Sequence, residues 1–493
     1  MIQTRSSFSN KMTASGSRRV ASFLTVFIFI QTICAQYQIP DVTISALRPR
    51  GFKASIPDAP KVSLFVFQGN VNRPIGNNDV GTITGEVVQA KNGRWTVEDP
   101  NLELKVGDVI NYYVVVSADR AGYIKDKLSY TVTALEDRTA TDTPVTTECK
   151  PTVTRVRGGT ACAGQTIFEE NFDNLRDNVW QIEQYLPVYT PNFPFVSYQR
   201  LASNPTVSVS DGKLRISPKL QQRQPGFTDE SIYSGALNLF SGCTSSAEAC
   251  MKQAWGADIL PPIVSGKITS KGFAFTYGTV TVRAKLPQGD WIYPEILLEP
   301  FLQKYGSLHY SSGVLQIASA RGNRVLSSGT TDYSNKLLFG GPVMDFQCHD
   351  TLLNNKMLNN GLWGDDYHEY SVRWAPDRIT LSVDGAEWAR VEPTASGLRG
   401  RFPVDTCPEL PRTLLQLGSN MAPFDDHFYI TLGVGAGSIT QFPDGVKTVN
   451  DRPKPWSNPS RKALLNFWQD MTAWLETWNE PQMLVDYVKV VAL

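Results

Sequence analysis

The segment Gly313-Val-Leu-Gln-Ile-Ala-Ser-Ala-Arg-Gly-Asn323 has the residue types of a strand and three positions that would share one face. Val314 and Gln316, two apart, point the same way on a pleated strand. Ser319 rejoins them if a bulge adds one residue. A cleft floored by these three has little to react with. Valine does no acid–base or nucleophilic chemistry, glutamine has no proton to exchange near neutrality, and serine is a very poor general acid. Glu295 and Glu299 on the preceding strand, and Asp384 and Asp425 at turns, supply carboxylates but no pair placed for joint work. Trp291, Tyr293, Trp363 and Trp374 in the same region could stack on ring faces or fill a core. Far upstream, Gly93-Arg-Trp95 follows a turn, and Trp95 is either an exposed platform or the core tryptophan of a sandwich. Around it, Arg94, Glu86, Asp99 and Asn70 are candidate partners for hydroxyl groups, and Tyr112 and Tyr123 are rings that pack or stack. This is equipment for holding a ligand, not for breaking a bond.

The elements that must position these residues read as all-β. Over residues 36–135, Val62–Phe67, Leu102–Val106, Val109–Val116 and Leu128–Thr133 alternate as strands between turn clusters. About seven strands in about 100 residues predict an immunoglobulin-like sandwich. A Thr-rich polar stretch, 136–160, reads as a linker. From 161 to 493 the pattern predicts one large jelly-roll sandwich of the concanavalin-like kind, with strands at Gly278–Leu286, Tyr370–Trp374, Ile379–Asp384, Tyr429–Gly433 and Leu484–Val491. One helical insert is predicted from Ser460 to Trp478, where Ala463, Leu464, Phe467, Trp468, Met471, Trp474 and Leu475 recur at helical spacing.

Composition narrows the function classes. The 493 residues carry 47 Lys plus Arg against 47 Asp plus Glu, a formal charge of zero, so no basic field invites nucleic acid. Arg5, Lys11, Arg18 and Arg19 precede an apolar run from Val20 to Ile30, and Ile33-Cys-Ala35 offers a cleavage site. Residues 1–35 therefore read as a secretory signal peptide, too short in its apolar run to span a bilayer. Six cysteines remain after it: Cys149, Cys162, Cys243, Cys250, Cys348 and Cys407. An even number in a secreted chain favours disulfides. Fifteen connectivities are possible, and sequence proximity favours Cys149–Cys162, Cys243–Cys250 and Cys348–Cys407. With no C-x-x-C and four scattered histidines, no metal site or cofactor is expected.

The catalytic-strand segment is similar to G-E-I-D-I-M-E-S-R-G-N of glycoside hydrolase family 16, the β-1,3-glucanase family. Matched position by position, Val314 stands at the nucleophile, Gln316 at the assisting aspartate and Ser319 at the acid/base. Retaining hydrolysis needs a carboxylate to attack and a carboxyl to protonate the leaving oxygen, so all three catalytic positions are lost. The surroundings are kept: Asn171-Phe172, Ile268–Gly278, Leu286-Pro-Gln-Gly-Asp-Trp291 with Tyr293-Pro294, Tyr367-His-Glu-Tyr370, Trp374-Ala-Pro376, Val383-Asp-Gly385, and Ala422-Pro-Phe-Asp425 before Phe428-Tyr-Ile. Residues 36–135 resemble carbohydrate-binding module family 39 through Ile56-Pro-Asp58, Leu64–Phe67, Asn92-Gly-Arg-Trp95, Lys105-Val-Gly-Asp108 and Gly122-Tyr123.

That pairing resembles the insect β-1,3-glucan recognition proteins, also called Gram-negative bacteria-binding proteins. The resemblance implies an innate-immune pattern-recognition protein of the hemolymph that binds microbial β-1,3-glucan without hydrolysing it. It implies clustering on the polymer and recruitment of a downstream serine protease that leads to prophenoloxidase activation or Toll signalling. The match favours Trp95 as a binding platform. Lipopolysaccharide and peptidoglycan remain open as ligands beside glucan. Two other readings stay open from the residues alone: an active glucanase with displaced carboxylates, and a structural plasma protein whose sugar sites have decayed.

Overall fold

A computed structural model describes residues 37–76, 79, 81–100, 102–119, 121–138 and 149–493; the expected signal segment and most of the expected linker lie outside the described residues. In the N-terminal unit, β1 (Thr43–Arg48), β2 (Phe52–Pro57), β3 (Val62–Val71), β4 (Ile83–Val87), β5 (Arg94–Asp99), β6 (Val109–Ala118), β7 (Ala121–Thr131) and β8 (Glu136–Asp137) form two four-stranded sheets. Their orders are β5-β2-β1-β8 and β4-β3-β6-β7. Alternation drives the layering: Phe65 and Phe67 of β3, Ile110 and Val114 of β6, and Trp95 and Val97 of β5 meet in one core. Leu102–Val106 is not a strand. Its carboxyl end is taken into a turn, where Asp108 accepts from the Lys105 amide at 2.8 Å and Gly107 adopts φ +97°.

The second unit is a pair of packed sheets. One runs Val207–Ser210, Lys213–Ile216, Met483–Val491, Gly278–Lys285, His368–Trp374, Ile379–Val383 and Ala386–Val391, with Thr166–Glu170 also paired to Met483–Val491. The other runs Gln181–Ile182, Lys267–Thr269, Phe428–Ala436, Ile292–Pro300, Val314–Ser319, Leu337–Val343 and Asn354–Met357. Between them lies a large apolar core that includes Val280, Val282, Ile296, Leu298, Leu315, Ile317, Trp374, Ile430 and Leu432. The predicted helical insert is two short helices, Ala463–Gln469 and Met471–Leu475, broken at Asp470. Phe467 and Trp474 stack at 4.7 Å in a second core beneath them. All three expected disulfides are present, with Cα–Cα distances of 5.1, 5.9 and 5.9 Å in chain order.

Both ends of the expected linker are taken into sheets. Glu136–Asp137 pairs parallel to Leu47–Arg48, and Arg155–Val156 pairs with Phe275–Thr276 of the second unit. From there Arg157 reaches back to Glu86 of β4 at 2.6 Å and lies over the Phe301 ring at 4.4 Å.

Candidate functional site

Alternation along two neighbouring strands builds a groove on the outer face of the second sheet, about 520 Å3 in volume. On Ile292–Pro300, Ile296 and Leu298 enter the inter-sheet core while Tyr293, Glu295, Leu297 and Glu299 line the groove. On Val314–Ser319, Leu315, Ile317 and Ala318 are in the core, and Val314, Gln316 and Ser319 line the groove. Two consecutive core residues on a pleated strand require an extra one. The register shows it: Ile296 faces Ala318 while Leu297 faces Gln316, and across the other edge a shift falls between Gln316 and Ser319. The bulge thus brings the three positions onto one floor. Gln316 Nε2 donates to the Phe339 carbonyl at 3.4 Å, and Ser319 Oγ to the Pro294 carbonyl at 3.2 Å.

Glycines on the adjoining Phe428–Ala436 strand shape the same floor. A Cβ at Gly435 would collide with the Tyr293 ring, and one at Gly433 with the Glu295 carboxylate. Tyr293 and Glu295 therefore lie across a strand with no side chains of its own there. Glu295 is fully engaged: Lys267 Nζ lies 3.3 Å away and Tyr198 Oη donates to it at 2.9 Å, with both charged side chains about 5% exposed. Burial works against the Lys267 ammonium, but Glu295 together with Tyr185, Tyr198 and Glu299 more than offsets it and lifts its pKa well above the ordinary lysine value. Glu183, beyond the floor, accepts from Thr269 at 2.6 Å and faces Lys271 at 3.1 Å. Burial opposes its charge, yet Lys271 and the hydroxyls of Thr244 and Thr269 hold it below the usual carboxylate range. Among the described residues, two buried polar atoms in the groove wall have no hydrogen-bond partner: Tyr293 Oη and Asn192 Oδ1. Such groups are costly unless something from outside completes them. The groove thus combines an apolar lining with a few polar groups that have hydrogen-bonding capacity to spare.

The family profile CBM39, described as "Carbohydrate binding domain (family 32)", matches residues 38–144, and "Glycosyl hydrolases family 16" matches residues 350–420. A "Beta-1,3-glucan-binding protein" of Hyphantria cunea is 71% identical over 95% of this chain and 98% of its own. "Beta-1,3-glucan-binding protein 1" of Manduca sexta is 35% identical over 92% and 96%, and "Gram-negative bacteria-binding protein 1" of Drosophila melanogaster 34% over 92% and 96%. The chain belongs to the β-1,3-glucan-binding protein family. Among solved structures, the laminarinase catalytic domain of Thermotoga maritima is 17% identical, covering 67% of this chain and 98% of its own, with a TM-score of 0.41.

Within this member of the glucan-binding family, several residues singled out in the sequence have other work. Trp95 is 4% exposed in the core of the N-terminal sandwich, its Nε1 donating to Asp58 at 2.8 Å. It cannot be an open stacking platform, because the β5 alternation turns it inward beside Val97. Tyr112 is buried and stacked on Phe67 at 5.0 Å; Tyr123 is half-buried against Tyr37 at 5.5 Å. Asn70 ties the following loop, donating to the Pro74 carbonyl at 3.0 Å and accepting from the Thr82 amide at 2.9 Å. Asp99 accepts from the Leu102 amide at 3.1 Å, and Glu86 is taken by Arg157. Arg94 lies across the outer face of its sheet, donating to Ser55 Oγ and Thr43 Oγ1, each at 3.0 Å. These residues do not converge on one patch.

In the second unit, Trp291 is 2% exposed and packs edge-on to Trp456 at 5.1 Å, so it belongs to the core and not the groove. Trp363 and Trp374 are also core, their Nε1 atoms donating to the carbonyls of Lys336 and Phe424. Tyr293, by contrast, lines the groove. Lys267, Asn192 and Arg321 also line it and were not marked as site residues by their local sequence. The alternating glycines in Leu432-Gly-Val-Gly-Ala436 were the available signal, since glycine within a strand marks a close approach.

Proposed function

We propose that this chain is a secreted pattern-recognition protein that holds β-1,3-glucan of microbial walls and does not cut it. The observation that carries this reading is the groove floor, where Val314, Gln316 and Ser319 stand without a carboxyl group. The names borne by its relatives support the ligand class. Other carboxylates do not stand in. Glu295 and Glu299 are four residues apart on one strand, about 13 Å along the backbone. That exceeds the spacing of either glycosidase geometry, about 5–5.5 Å for retention and about 6.5–9.5 Å for inversion. Glu295 is also neutralised by Lys267. Residues 36–135 act as the glucan-binding module and 161–493 as a glucanase-like unit without catalysis. On an insoluble polymer many copies sit close together, and repeated weak contacts add up through effective concentration. In this reading the crowding recruits a serine protease and starts a prophenoloxidase or Toll cascade. Co-sedimentation of the full chain with curdlan tests it: retention in the pellet at physiological salt is expected, and a chain that stays in the supernatant contradicts it.

A further inference from the structure

Arg321 stands two residues beyond Ser319, lines the groove and is half-buried. Three rings hold its guanidinium, with Phe339 at 4.8 Å, Tyr333 at 5.6 Å and Phe442 at 6.0 Å from it. Its Nε donates to the Gln441 carbonyl. Among the described residues no carboxylate forms an ion pair with it. The other buried cations of this region are matched: Lys267 with Glu295, and Lys454 with Asp444 at 2.6 Å. Asp350 acts on Arg321 only at a distance and is itself exposed beside His349. Burial without a partner pulls the guanidinium pKa down to about 10. The Tyr293 ring packs on Phe442 from another side, and its hydroxyl is a donor without an acceptor.

We propose that the Arg321 end of the groove receives an anionic substituent, a carboxylate or phosphate, carried on a sugar of the bound glycan. A partly buried cation without an ion-pair partner is expensive, and a guanidinium whose Nη atoms make no hydrogen bond among the described residues presents the planar fork that fits those two anions. Of the groove's acidic groups, Asp350 is exposed to solvent and acts on Arg321 only at a distance, and the two glutamates lie further along the strand. Gly322 donates to the Ile292 carbonyl at 2.7 Å, which fixes Arg321 near that end of the strand. Glu295 is about 10 Å further along and neutralised; Glu299 is about 23 Å away. The groove is thus cationic at one end and acidic at the other, a polarity that gives a charged glycan a direction.

The inference rests on the reading that the groove holds glycan, and one set of titrations separates the two. The full chain is titrated at low salt with a laminari-oligosaccharide, with the same oligosaccharide oxidised at C6 to the uronate, and with its C6 phosphate ester. At least one charged form is expected to bind about tenfold more tightly than the neutral one. Arg321→Gln removes that gain, so that the charged and neutral forms bind the variant with equal affinity. Arg321→Lys, which keeps charge but not the fork, retains only part of it. Equal affinities in the wild type, or a full gain in either variant, overturn the inference. If Arg321→Gln does not fold, the lysine variant decides alone. Blocking the groove with Val314→Trp tests the underlying reading: unchanged affinity and stoichiometry for the neutral oligosaccharide would mean the groove is not a glycan site at all.

Discussion

Two buried side chains carry the sharpest consequences for single residues. Asp290 sits beside the groove-bearing strand, where burial raises its pKa to about 6 against the pull of the Asn323 amide at 2.9 Å and of Arg452. A folded pKa above the unfolded value means the protonated form is favoured in the fold. The contribution is fully present below about pH 4 and is lost as pH rises through about 6, costing up to about 3 kcal/mol at neutrality. Asp290→Asn keeps an oxygen for Asn323 and has no charge to bury. Its melting temperature is expected to exceed the wild type's by several degrees at pH 7.5, with the difference closing by pH 4. Trp95→Ala empties a core site and removes the hydrogen bond to Asp58, so a loss of about 3–5 kcal/mol is expected on chemical denaturation. A stable Trp95→Ala variant that merely loses glucan binding would reinstate the open platform.

At the level of elements, periodicity made most of the architecture readable in advance. The Val62, Val109, Gly278, Tyr429 and Leu484 runs became strands because their alternation matches a half-buried pleat. Leu102–Val106 alternates equally well but folds as a loop, since Asp108 captures the backbone and Val106 is 64% exposed with nothing to cover it. The three groove-floor positions were legible through the likeness to the family 16 strand, and the bulge that brings Ser319 beside the other two is present. The walls were not: Asn192, Lys267, Arg321 and Gln441 come from segments far apart in the chain, and no local pattern brings them together. Trp95 shows the opposite failure, where Trp95 and Val97 already alternated as an inward pair and the family likeness pointed outward. The Cys348–Cys407 bridge joins two of the distant loops and closes 59 residues. Replacing both cysteines by serine frees that loop in the unfolded chain, and a loss of about 4 kcal/mol is expected by the chain-entropy estimate. Equilibrium denaturation without reductant measures it; an unchanged midpoint would mean the surrounding contacts already hold these loops.

For the molecule as a whole, the Glu86–Arg157 contact joins the N-terminal sandwich to the second unit through a half-buried ion pair and a cation–ring stack. Removing one partner of such a pair leaves the other charge buried and costly. Glu86→Lys is expected to loosen the two units and raise the radius of gyration in solution scattering, and adding Arg157→Glu to restore compactness. A radius unmoved by Glu86→Lys would show that the pair does not set the arrangement. In the proposed function both units hold the same polymer and neither cuts it. Reducing-end release from laminarin is the direct measure, taken with purified full chain at high concentration over a long incubation, beside an active β-1,3-glucanase. No release above the buffer blank is expected at any pH from 4 to 9. Turnover that scales with this protein, and survives repurification, would contradict it.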